Sequence, residues 1–129
     1  MEIKYLARED QPKELLTYLG VSRRSVGWHC ILSCFAEISN GCAPGTEMYE
    51  RVALRHGKTV AQVIRGSLCA LAKARQKKPR EWEEILPNLD TDISRAGLTA
   101  FLRCTAEWLD RNEIASFYLG HVKYRLPLQ

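Results

Sequence analysis

Apolar residues along this chain recur mostly at helical spacing. Val26, Cys30, Cys34, Phe35 and Ile38 fall at intervals that place them on one face of a helix. Upstream, Gln11-Pro12 opens a first helix, with Pro12 in the turn where a missing N–H is no loss. That helix is expected to run to Leu19, with Gly20 as its stop. Ser22 is the expected cap of the second helix, and Asn40-Gly41 its end. Cys42-Ala43-Pro44-Gly45 reads as a loop.

Thr46 is the expected cap of a third helix, with Glu47 and Glu50 near its positive end. Met48, Tyr49, Val52 and Ala53 give it an apolar side, and His56-Gly57 closes it. After Lys58, the run Thr59-Val60-Ala61-Gln62 has the form of a capping box. The fourth helix is expected from Val60 to Gln76, with Val60, Val63, Ser67, Ala70, Leu71 and Ala74 turned inward. Pro79 breaks it and opens a short helix to Leu86, and Thr91 or Asp92 caps a last long helix. Both ends, Glu2 to Tyr5 and His121 to Leu126, alternate with period two and could pair as a small ribbon. The pattern predicts an all-α domain of about six helices with a possible short terminal ribbon.

The length, 129 residues, fits a single domain over 1–129 that buries its own core. With 46% apolar and 26% charged residues, the composition is that of an ordinary globular chain. No apolar run reaches the length of a membrane span, and Met1-Glu2-Ile3-Lys4 does not begin a secretory signal. The five cysteines make no disulfide framework, so reduced thiols in a cytoplasm are expected.

Charge changes the picture more. The net charge is +4, but from Arg51 to Arg80 there is no Asp or Glu. Nine lysines and arginines fall in that stretch, so the rest of the chain is net acidic. Such asymmetry points to an anionic partner, nucleic acid first and a membrane surface second. The stretch also covers the third and fourth helices, which are joined only by Gly57-Lys58 and the Thr59 cap. A short helix, a turn with Gly and a capped second helix form a helix-turn-helix pattern, here at about 46–76. The second helix of such a unit can lie in the major groove while flanking cations touch phosphates. On this reading Ala61, Gln62, Ile64, Arg65 and Leu68 face base edges. Arg51, Arg55, Lys58, Thr59 and Lys73 face phosphates.

The run from Tyr49 to Arg65 resembles the DNA-binding effector domain of the stage-zero sporulation protein A family of response regulators. That family carries a Tyr, then Ile-Ala, then a Thr before a recognition helix that reads Val-Glu-Arg-Ala-Ile-Arg. Tyr49, Ala53, Thr59, Val63, Arg65 and Ala70 match without a gap. Leu19-Gly20-Val21 and Gly27-Trp28 resemble further motifs upstream, so the similarity spans Leu15 to Arg111. It implies a six-helix, all-helical fold and a transcriptional regulator of double-stranded DNA. It also implies an effector domain standing alone, without the family's receiver domain. Ile64 stands where the family has Glu, Leu68 where it has a second Arg, and Gln62 where it has a basic residue. The family's DNA sequence preference is therefore not implied.

Individual residues admit plainer roles. Arg65 is either a base reader or a solvated surface residue, and Gln62 either reads adenine or completes the capping box. Ile64 and Leu68 contact thymine methyls, pack on a partner, or mark an inward stripe rotated from the one above. Basic residues from Lys73 to Arg80 also suit a helix C-terminus. His29, Cys30 and Cys34 lack the second ligand pair of a zinc site. No nucleophile stands with a positioned base, so no enzyme, cofactor or metal is expected. Trp28, Trp82 and Trp108 read as core anchors. The leading expectation is a stand-alone helix-turn-helix DNA-binding domain. Its rival is a protein-interaction module, a homodimer included, whose recognition face has become apolar through Ile64 and Leu68.

Overall fold

The computed structural model of the chain describes residues 10–89 and 95–112, with two short strand segments at 116–117 and 124–125. The helices are α1 (Gln11–Tyr18), α2 (Val26–Ser39), α3 (Thr46–His56), α4 (Val60–Lys77), α5 (Pro79–Ile85) and α6 (Arg95–Asn112). The strands β1 (Ser116–Phe117) and β2 (Tyr124–Arg125) pair antiparallel, with Phe117 opposite Tyr124. The domain is all-α, with this two-residue pair as its one minor addition among the described residues. The amino-terminal segment expected to pair with 122–124 lies outside the described residues, as do the expected α6 caps Thr91 and Asp92.

Local chemistry sets the helix starts. Ser25, not Ser22, caps α2. It adopts the extended backbone a cap needs, and its hydroxyl accepts from the Trp28 amide at 3.1 Å. Ser22 instead accepts from the Arg24 amide within the preceding turn. Gly45 precedes α3 as its N-cap, which makes Thr46 the first helical residue. The Thr46 hydroxyl is then used across the fold, accepting from Arg95 at 2.7 Å. At α4 the expected capping box is present: Thr59 Oγ1 accepts from the Gln62 amide at 3.1 Å, and Gln62 Oε1 accepts from the Thr59 amide at 2.9 Å. Gly57 closes α3 in the left-handed conformation, at φ 65°, which a side chain would strain.

The helix α4 runs through the middle and touches α2, α3, α5 and α6. Val63, Ser67, Ala70, Leu71 and Ala74 are buried as the pattern expects, while Val60 is half-buried. The closest crossing is with α2. A Cβ on Gly27 would sit 2.5 Å from the Gly66 carbonyl oxygen and 2.6 Å from Ala70 Cβ, so only glycine lets the two backbones approach this far. Val26, one residue earlier, lies at the edge of the crossing near Gly66 and is exposed rather than on the buried face. Trp82 packs on Phe101 and donates from Nε1 to the Leu19 carbonyl at 2.8 Å, tying α5 to the end of α1. Trp28 and Trp82 are buried and Trp108 half-buried. No helix among the described residues is long and apolar enough to cross a membrane.

Candidate nucleic-acid interface

Both helices of the motif form, joined by the Gly57 turn, with α3 packed on α4 through Met48, Tyr49, Val52 and Ala53. The exposed side of α4 carries Ala61, Gln62, Arg65, Cys69, Ala72, Lys73 and Gln76. At 3.6 residues per turn these fall on one arc, roughly a third of the circumference. Cys69, Ala72 and Gln76 were not singled out from sequence. Their three- and four-residue spacing from Arg65 is the signal that places them there.

Leu68 does not belong to this face. It is 4% exposed and sits in the hydrophobic core, and Ile64 is half-buried and packed against that core. The reason is geometric: α4 is covered by helices on several sides, so its buried arc is wider than the single stripe expected. Ile64 and Leu68 widen one flank of it. Leu68 is therefore not placed to face a base edge, and only part of Ile64 reaches the surface.

Of the polar residues, Arg65 is exposed and has no ion-pair partner among the described residues. Gln62 is exposed, but its carbonyl oxygen is taken by the capping box. Its amide NH2 remains as a donor and the oxygen keeps one lone pair, so bidentate adenine reading would share that oxygen with the cap. Thr59 Oγ1 accepts within the same box and still carries its own proton to donate.

The two arginines of α3 are exposed but ion-paired. Glu37, from α2, is buried, and its carboxylate accepts from Arg55 at 2.6 Å and lies 3.6 Å from Arg51. Arg51 also holds Glu47 at 2.8 Å, one turn back on its own helix. The stretch from 51 to 80 is free of carboxylates in sequence but not in space. Arg51 and Arg55 are therefore exposed cations that each hold a carboxylate in this fold, Glu37 for both and Glu47 for Arg51 as well. Glu37 was missed because it lies on another helix, and nothing local in the sequence couples it to α3.

Lys58 is half-buried at the turn, and its charge is felt at both Cys30 and His56. His56 Nε2 is 2.7 Å from Ser33 Oγ, which ties the end of α3 to α2. Burial lowers the His56 pKa from its ordinary value, and the charges of Arg55, His29 and Lys58 lower it further. Among the cysteines, Cys34 is fully buried and its thiol is pushed up to about 12 by burial, with Cys30 and Glu37 adding to the shift. It stays protonated at neutral pH. Arg75 is half-buried, donates to the Leu89 carbonyl at 3.0 Å and lies over the Trp82 ring. Lys73 and Lys77 are exposed.

No family model, no curated protein and no solved structure matches the chain.

Proposed function

We propose that the chain is a DNA-binding transcriptional regulator, a helix-turn-helix effector domain whose α4 enters the major groove. The observation that carries the reading is the outward arc of α4. It is set by a capping box and a glycine turn, presents Arg65 with no ion-pair partner, and leads into Lys73. The resemblance to the sporulation regulators' effector domain supports the same assignment of α3 and α4. On this reading Ala61, Gln62 and Arg65 meet base edges. Lys58, Thr59 and Lys73 meet phosphates, and Arg51 and Arg55 hold the scaffold.

The rival reading, a protein-interaction module, rested on Ile64 and Leu68 as an exposed apolar pair. Their packing into the core removes that support. The test is a selection for a preferred duplex followed by anisotropy with variants. Arg65→Ala is expected to weaken the preferred site by about 1–3 kcal/mol and to relax specificity at one position. An Arg65→Ala protein that binds all duplexes as the wild type does would remove Arg65 from the reading.

A further inference from the structure

Beside the amino-terminal end of α2 lies a cleft of about 250 Å³, walled by the α1–α2 turn on one side and α4 on the other. The turn contributes Ser22, Arg24 and Ser25, and α4 contributes Lys73 and Lys77. Its remaining lining, Gly20 and Ala70, is small. The volume accommodates a phosphate group and a few waters, at about 30 Å³ per water.

Three cations from two walls line this cleft, and no carboxylate does. Lys73 and Lys77 stand one helical turn apart, a like-charge spacing that works against the helix unless a counter-charge is present. None of the three forms an ion pair among the described residues. Their neighbours differ. Arg23 lies over the Trp28 ring, and Arg75 over Trp82, so those cations are used by the fold.

The neutral groups point the same way. Ser25 Oγ is committed, accepting from Trp28 and donating to the Ser22 carbonyl. Ser22 Oγ accepts from the Arg24 amide and keeps its proton to donate. The helix α2 starts at this wall, so the positive end of its dipole adds to the field of the cations.

We propose that this cleft is a binding site for a phosphate group, held by Arg24, Lys73 and Lys77 with the Ser22 hydroxyl as a further donor. Cations on two walls suit a tetrahedral phosphate anion, whose oxygens radiate in several directions. A planar carboxylate would be satisfied by one arginine. The phosphate comes either from a nucleic-acid backbone or from a small phosphate ester. The site stands on its own geometry whether or not the chain binds duplex.

The experiment is a titration of the 15N-labelled full chain with inorganic phosphate, followed by NMR, against sodium chloride of matched ionic strength. Phosphate is expected to give saturable shifts at the amides of Ser22, Arg24, Ser25, Lys73 and Lys77, and chloride is not. The double variant Lys73→Ala/Lys77→Ala is expected to bind at least tenfold more weakly. Lys73→Arg/Lys77→Arg should retain binding, and so should Lys13→Ala, which removes one charge outside the cleft lining. These are surface positions, and the spectra themselves report that each variant is folded. Shifts that never saturate, that chloride reproduces, or that survive the double alanine variant would overturn the site. Adding random duplex to the phosphate complex then separates the sources. Displacement of phosphate assigns the site to a nucleic-acid backbone, and retention assigns it to a small phosphate ester.

Discussion

At the residue scale, one side chain can be held by the fold and exposed to solvent at once, and Gln62 is such a case. Its carbonyl closes the α4 capping box while its NH2 faces solvent. The box was legible in Thr59-Val60-Ala61-Gln62 because capping is decided within four residues. Thr59→Ala should remove about 0.5–2 kcal/mol of stability, read as a lower urea midpoint at unchanged slope. A variant as stable as the wild type would mean that the cap contributes nothing. Leu68 was not legible, because its burial depends on how many helices cover α4. His56 carries a pH prediction. Its pKa in the fold is lowered, so the unfolded chain binds that proton first as pH falls. Its contribution to stability is present above the unfolded value of about 6.5 and is lost as pH drops through the folded value. Urea unfolding at pH 7.5 and pH 5 is expected to show a smaller acid-side loss in His56→Gln than in the wild type. An equal loss would show that His56 is not responsible.

At the element scale, helix positions followed from caps, Gly and Pro, which act locally. The bounds of α3 and α4 came within a residue or so of the pattern, and α5 opens at Pro79 as expected. The α2 start shifted from Ser22 to Ser25 because both serines satisfy the cap chemistry, and only the turn geometry chooses between them. What sequence could not supply was the pairing between helices. Glu37 sits at the α2–α3 contact and sets a buried carboxylate against two arginines that the linear charge count showed as unopposed. On the proposed function, Glu37→Gln releases Arg55 from its ion pair, while Arg51 keeps Glu47. The variant's affinity for random duplex should rise and its salt dependence steepen by about one contact, at about 0.9 in log–log slope per phosphate. A slope equal to that of the wild type would mean that Arg55 stays away from the duplex even when released.

At the scale of the whole molecule, the fold gathers the carboxylate-free stretch into one unit in which α4 is both the central core helix and an exposed basic arc. Arg65 and Lys73 are exposed on α4, and Lys73 also lines the cleft with Arg24 and Lys77. The local excess of positive charge was legible from the sequence, whereas which of its cations stay unpaired was not, because side-chain pairing is a property of the folded chain. The central claim is that this surface binds duplex DNA through its phosphates. The most direct measurement is the anisotropy of a labelled random-sequence duplex titrated with the protein across a salt series. Three or four phosphate contacts predict binding at the lowest salt that weakens linearly in log–log form, with a slope of about −3. A folded protein that leaves the duplex unbound at the lowest salt, or binds it with no salt dependence, would contradict the account.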